Sequence, residues 1–132
     1  MQAKEIMTAN VITVLPDDTV QQLARVLTDA GISGAPVVDQ AGSLVGIVSE
    51  ADVISKRGGR VQDVMQRSVI TVSEDSSVEH VCEVMSDRNI NRVPVTSAGQ
   101  VVGIITRTDV VRAIAHGCLE AETLQGTTAT AP

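Results

Sequence analysis

Two short stretches carry the residue types best able to do chemistry, Gly46-Ile47-Val48-Ser49-Glu50-Ala51-Asp52 and Gly103-Ile104-Ile105-Thr106-Arg107-Thr108-Asp109. In each, an apolar run meets a Ser or Thr, and an Asp follows three residues later. Apolar residues resume at Val53-Ile54 and Val110-Val111. This spacing predicts a strand whose end becomes the first turn of a helix. Such a helix start offers unpaired backbone N–H groups and the positive end of the peptide dipole, both suited to an anion. Ser/Thr-x-x-Asp is also the spacing of a capping box, and capping alone would account for both copies.

The two stretches belong to a longer internal repeat. Val11-Ile12-Thr13-Val14 recurs as Val69-Ile70-Thr71-Val72, an offset of 58 residues. At that offset Met7 matches Met65, Asp17 matches Asp75, Ile32 matches Ile90, and Pro36-Val37 matches Pro94-Val95. From Gly46 and Gly103 onward the offset is 57. The missing residue falls near Val38 to Gln40, where a turn tolerates a loss that a packed strand would not.

Each repeat must position its chemistry with the same elements. Ile6-Met7 and Val64-Met65 open it as a short apolar anchor, and Val11–Val14 and its copy read as β-branched strands. Asp18 with Gln21, and Ser76 with Glu79, have capping-box spacing at a helix start. Val20, Leu23, Ala24 and Leu27, matched by Val78, Val81, Cys82 and Met85, form an amphipathic stripe. Gly31 and Asn89 suit left-handed helix ends. Strands follow at Ala35 to Val38 and Val93 to Val95, started by Pro36 and Pro94, where a missing donor does little harm. Return strands at Leu44 to Val48 and Val101 to Ile105 complete hairpins, and helices from about Glu50 to Lys56 and Arg107 to His116 close the repeats. The organisation expected is one repeat over 1–60 with its linker, a second over 61–119, and a disordered tail over 120–132. A repeat of about 58 residues buries too little surface to stand comfortably alone, so two packed sheet to sheet would share one core.

Composition narrows the functions. Against 10 Lys and Arg stand 16 Asp and Glu, a formal charge of −6 with no basic cluster, which disfavours nucleic acid and anionic membranes. With no Phe, Tyr or Trp there is no platform for stacking bases. Cys82 and Cys118 lie far apart without metal-ligand spacing, and Cys82 is expected as a buried thiol. His80 and His116 have no local partner, so no metal is assigned. No nucleophile stands beside a base, and no glycine-rich phosphate loop is present; the chain is read as not an enzyme. The polar start, Met1-Gln2-Ala3-Lys4-Glu5, argues against a signal peptide, and no apolar run is long enough to span a bilayer. A soluble protein of the reducing cytoplasm is expected.

A strand, a capped helix, a Pro-Val hairpin and a Gly-apolar-x-Ser/Thr-x-x-Asp finish, in this order and in duplicate, closely resemble a tandem pair of cystathionine-β-synthase (CBS) domains, called a Bateman module. The resemblance covers about Ala3 to Ala115. It implies an α+β fold of two pseudo-symmetric β-α-β-β-α repeats packed sheet to sheet. It also implies a regulatory module that binds an adenosine-containing ligand (AMP, ADP, ATP or S-adenosylmethionine) in clefts between repeats, forms a homodimer, and signals to a separate effector protein. No required cofactor is implied. In the family the Asp of the finishing motif holds ribose hydroxyls, the Ser or Thr holds phosphate, and the base lies against the first strand and the residues before the Pro-Val strand. Carried onto this chain, one site would combine Thr106, Arg107 and Asp109 with Met7, Ile12, Ser33 and Gly34. The other would combine Ser49 and Asp52 with Met65, Ile70, Asn91 and Arg92.

These roles are chemically reasonable. A carboxylate accepts two hydrogen bonds, suits a cis-diol and repels phosphate. Arg92 and Arg107 could each add a charge-assisted bond to phosphate, or be solvated surface charges. The first repeat has Gly34 and Glu50 in their places, so this mapping gives each site one arginine. The alternative is a structural dimerisation or docking module with vestigial, empty clefts.

Overall fold

The structure, a computed structural model, describes residues 1–117. The expected tail over 120–132, and Cys118, lie outside the described residues. The elements run α1 (Ala3–Ile6), α2 (Val20–Ala30), β1 (Gly34–Val38), β2 (Leu44–Ser49), α3 (Glu50–Ser55), α4 (Val61–Val64), β3 (Val72–Ser73), α5 (Val78–Asp87), β4 (Arg92–Ser97), β5 (Gln100–Thr106) and α6 (Arg107–Ala115). The class is α+β.

The chain divides into two compact units. One, here the Asp52 unit, comprises Val11–Ile70 and Ala98–Val101; the other, the Asp109 unit, comprises Met1–Asn10, Thr71–Ser97 and the described residues from Val102. Their boundaries fall inside the sequence repeats, because the opening segment of each repeat packs in the unit that carries the other repeat's hairpin. In the Asp109 unit Thr8 exchanges both backbone hydrogen bonds with Ile104 of β5, at 2.9 and 3.0 Å. In the Asp52 unit Gln66 does the same with Ile47 of β2, at 2.9 and 2.8 Å. Glycine makes this approach possible. A β-carbon added at Gly46 would lie 2.7 Å from the Met65 sulfur and 2.9 Å from the Gln66 carbonyl oxygen; one at Gly103 would lie 2.2 Å from the Met7 sulfur. Each methionine lies over its glycine.

Each unit has an apolar cluster. Val14, Leu23, Leu27, Val37, Val48, Val61, Val64 and Met65 form one. Ala3, Val72, Val81, Met85, Val93, Val95 and Ile105 form the other. Complete burial of a Val or Leu side chain contributes about 1.5–3 kcal/mol, so short β-branched strands suffice without aromatics. The expected stripe on α2 is partly corrected: Leu23 and Leu27 are buried, but Ala24 is exposed. Its counterpart Cys82 is half-buried, and burial, then the Glu79 carboxylate, push its thiol pKa up.

Two local expectations shift for identifiable reasons. The strand expected over Val11–Val14 is a single parallel bridge, Val14 to Val37, and its copy shrinks to β3. Pro36 and Pro94 lie inside β1 and β4, not at their starts, and both are fully buried. The Val14 N–H donates to the Pro36 carbonyl (3.1 Å) and the Val38 N–H to the Val14 carbonyl (2.9 Å). The next bond of this parallel ladder would need an N–H from Pro36, which has none, so pairing stops. Pro94 stands in the same relation to Val72, which pairs with Val95.

The second shift concerns the caps, which sit one residue later than Asp18 and Ser76. Thr19 accepts from the Gln22 N–H (3.0 Å) and Gln22 accepts from the Thr19 N–H (2.8 Å); Ser77 accepts from the His80 N–H (3.1 Å). Asp18 and Ser76 instead accept from the N–H groups of Leu15 and Ser73, bracing the turn before each helix. The helix ends agree with expectation: Gly31 and Asn89 both have left-handed φ, 65° and 51°. The extra residue of the first repeat lies in the turn over 39–43 and a bulge between Val37 and Val38, whereas Ala98 and Gly99 alone join β4 to β5.

Gly46→Ala forces a β-carbon against backbone as well as side chain. It should destabilise the protein by about 1–3 kcal/mol, the usual cost of overpacking. Chemical denaturation followed by far-ultraviolet circular dichroism, against Gly59→Ala as a control with open space at the site, checks this.

Candidate functional site

In both finishing motifs a strand runs directly into a helix. Ser49 ends β2 and caps α3; Thr106 ends β5 and caps α6. Each Asp folds back on its cap. Asp52 Oδ2 accepts from the Ser49 N–H (2.9 Å) and hydroxyl (3.1 Å), and Asp109 Oδ2 accepts from the Thr106 N–H (2.9 Å) and hydroxyl (3.2 Å). In return the Asp N–H groups reach the Ser49 and Thr106 oxygens at 3.4 and 3.3 Å. Both motifs are therefore capping boxes.

The carboxylates are nearly buried, Asp52 4% and Asp109 5% exposed. Burying such a group is costly unless it is paired and hydrogen-bonded. The second oxygen of each meets that need. Asp52 Oδ1 accepts from Lys56 Nζ (2.9 Å) and Gln66 Nε2 (3.4 Å). Asp109 Oδ1 accepts from the Thr8 hydroxyl (3.1 Å) and an Arg112 guanidinium nitrogen (3.3 Å). Gln66 and Thr8 occupy equivalent repeat positions, just after Met65 and Met7. The sequence reading missed these four partners. Their signal was a donor side chain following each anchor methionine and a basic residue one turn past each Asp.

Burial raises the Asp52 carboxyl pKa, but the Lys56 ammonium and the bonds from Ser49 and Gln66 outweigh it, so the net shift is downward. Some of the helix-start donors expected to meet an anion are already engaged. The Glu50 N–H donates to the Ser33 carbonyl (2.9 Å), the Arg107 N–H to the Asn91 carbonyl (3.2 Å), and the two Asp N–H groups to their caps.

Thr106, Arg107, Asp109, Met7, Asn91 and Arg92 belong to the Asp109 unit. Ser49, Asp52, Met65, Ile70, Ile12, Ser33 and Gly34 belong to the Asp52 unit. Met7 thus shares a unit with Asp109, and Met65 with Asp52, as in the predicted sets. Ser33 and Gly34 stand beside Ser49 and Glu50, with Gly34 opposite Ser49 in the β1–β2 ladder. Each predicted set has members in both units. The arginines assigned one to each site both lie in the Asp109 unit, while the Asp52 unit has Gly34 and Glu50 at those positions. Among the described residues no three His, Cys, Asp or Glu side chains converge as a metal site, and no helix is long and apolar enough to cross a membrane.

A lowered folded-state pKa makes Asp52 stabilising above its ordinary value of 3.8, and that contribution is lost as pH falls through the folded value. Lys56→Met removes the largest favourable partner and leaves burial. Its acid-unfolding midpoint should move to higher pH than that of the unsubstituted protein, measured by circular dichroism at constant ionic strength. Ser49→Ala should cost about 1 kcal/mol at neutral pH through loss of the cap.

The model of the CBS domain family matches this chain twice, over residues 3–59 and 61–116. Inosine-5'-monophosphate dehydrogenase of Methanocaldococcus jannaschii is 38% identical over 114 residues, 84% of this chain and 23% of the dehydrogenase. The L-aspartate semialdehyde sulfurtransferase of the same organism is 35% identical over 113 residues, 83% of this chain and 22% of the enzyme. The chain therefore spans under a quarter of the length of these two relatives. Among solved structures, the CBS domain pair of protein MJ0100 in complex with 5'-methylthioadenosine and S-adenosyl-L-methionine is 33% identical. It superposes with a TM-score of 0.83 over 89% of this chain and 98% of that one. CBSX2 in complex with AMP is 28% identical, with a TM-score of 0.84 over the same shares. With both repeats matched and the strand-to-helix Asp motif built twice, the chain belongs to the CBS domain family as a tandem pair.

Proposed function

We propose that this CBS pair is a non-catalytic regulatory module of the cytoplasm that binds an adenosine-containing ligand, self-associates as a homodimer and signals to a separate effector protein. The observation that carries the reading is its 33% identity, over 89% of the chain, to a CBS pair in complex with 5'-methylthioadenosine and S-adenosyl-L-methionine. The AMP complex of the 28% identical CBSX2 supports the same ligand class.

In this reading Asp52 and Asp109 keep Oδ2 for the cap and offer Oδ1 to ribose hydroxyls. The contacts there from Gln66 and Arg112, at 3.4 and 3.3 Å, are long for hydrogen bonds and are readily exchanged for a ligand. The Ser49 and Thr106 hydroxyls are committed to the cap, so the phosphate role passes mainly to Arg107 and Arg92. Met7, Ile12, Met65 and Ile70 supply aliphatic contact to the base, and the backbone at Ser33, Gly34 and Asn91 its polar contacts. With both arginines in one unit and Glu50 in the other, the Asp109 motif favours a phosphate-bearing ligand and the Asp52 motif an uncharged or cationic one. A second reading, a docking module without ligand, is favoured by one observation: both carboxylates are already satisfied within the chain.

Isothermal titration calorimetry of ligand-free protein with AMP, ADP, ATP and S-adenosylmethionine decides between the two. Saturable binding of AMP should weaken at least about tenfold in Asp109→Asn, a loss of about 1.4 kcal/mol, and less in Asp52→Asn. Folded, ligand-free protein that gives no heat with any of the four at several temperatures would establish the docking module instead.

A further inference from the structure

A carboxylate has about four acceptor positions, and in both finishing motifs the chain itself fills them. The bonds to Oδ2 are alike in the two motifs, but those to Oδ1 differ. Asp52 Oδ1 takes the Lys56 ammonium at 2.9 Å and the Gln66 amide at 3.4 Å. Asp109 Oδ1 takes the neutral Thr8 hydroxyl at 3.1 Å and the Arg112 guanidinium at 3.3 Å. The short contact at Asp52 is the charged one; at Asp109 it is the neutral one.

The repeat positions explain the difference. Lys56 is the C-cap of α3, four residues past Asp52, and its backbone N–H donates to the Asp52 carbonyl. Its equivalent on α6 is Ala113, which is buried and has no side-chain donor. The basic residue of α6 is Arg112, three residues past Asp109, with a side chain 58% exposed against 40% for Lys56. Ser55, the equivalent of Arg112, turns its hydroxyl back to the Ala51 carbonyl at 2.7 Å.

A ribose cis-diol brings two donors, and to take Oδ1 it must displace both residents. At Asp52 this breaks a short charge-assisted bond to a buried carboxylate, the setting in which such bonds are strong. Against burial, which raises the Asp52 pKa, Lys56 is the largest lowering influence. A site whose open form is a minor population binds more weakly in proportion to that fraction.

We infer that Lys56 is a built-in competitor for the ligand at the Asp52 motif. Its ammonium holds the carboxylate oxygen that a ribose hydroxyl needs, and the ligand enters only as Lys56 swings out. The Asp109 motif, without such a lysine, fills first. The inference names a regulation of the proposed ligand site and rests on that reading.

The test is isothermal titration calorimetry of the full ligand-free chain with adenosine, which is uncharged and offers Lys56 no phosphate as an alternative partner. Asp109→Asn isolates the Asp52 motif. In that background Lys56→Met and Lys56→Gln should each tighten adenosine binding at least about fivefold. 2',3'-Dideoxyadenosine, which lacks both hydroxyls, should change by less than about twofold, and adding Asp52→Asn should abolish the gain. Circular dichroism at neutral pH confirms that each variant is folded. Adenosine affinity that stays unchanged or falls in both Lys56 variants overturns the inference alone, and so does an equal gain for the dideoxynucleoside. No adenosine binding to the unsubstituted chain or to any variant overturns the inference together with the ligand reading.

Discussion

The fold hangs on a buried carboxylate at each strand-to-helix junction. Asp52 and Asp109 each receive two bonds at one oxygen from the strand end that they cap, and further bonds at the other from the helix and the neighbouring opening segment. Three pieces of chain are thereby tied to one group. Removing a charge from water is tolerable only when its partners are supplied in full, and here they are. The arrangement fixes where β2 and β5 stop, where α3 and α6 start, and which residue sits beside Ile47 and Ile104.

Under the proposed function the same carboxylate would serve both stability and binding. One oxygen builds the junction; the other is held by side chains alone, Lys56 and Gln66 at one motif and Thr8 and Arg112 at the other. A group made rigid by its first duty would be pre-organised for that proposed second one, because a ligand hydroxyl at Oδ1 would not need to order the acid that receives it. Duplication then lets the two junctions diverge in charge while the frame is kept. Glu50 and Arg107 are the clearest instance, since both are exposed and neither contributes to the core.

Much of this was legible in the sequence. The duplication, the hairpins, the closing helices and the two Asp motifs follow from period and spacing, and their bounds agree within a residue or two. What was misread has local causes. Asp18 and Ser76 are residue types that cap well, but each braces a turn of its own, and Thr19 and Ser77 supply the caps. Val11–Val14 has the composition of a strand, yet its ladder depends on an N–H that Pro36 cannot give, a constraint located far along the chain. Thr8 and Gln66 escaped notice because they differ in type; what they share is a donor and a position. The packing of each opening segment with the other repeat's hairpin left no mark in local pattern. Its trace was the pairing of Gly46 with Met65 and of Gly103 with Met7, readable only with the backbone in view.

That exchange of opening segments also makes the two repeats inseparable as pieces of chain. A cut at the repeat boundary, after Arg60, would leave the first half holding Thr8 without Ile104 and Ile47 without Gln66. Neither half would be a finished object. Each would be both donor and acceptor of an edge, able to complete itself only by trading with another molecule, as in domain swapping. Fusion of the repeats into one polypeptide turns that trade into an intramolecular one, where the partner is always present at high effective concentration.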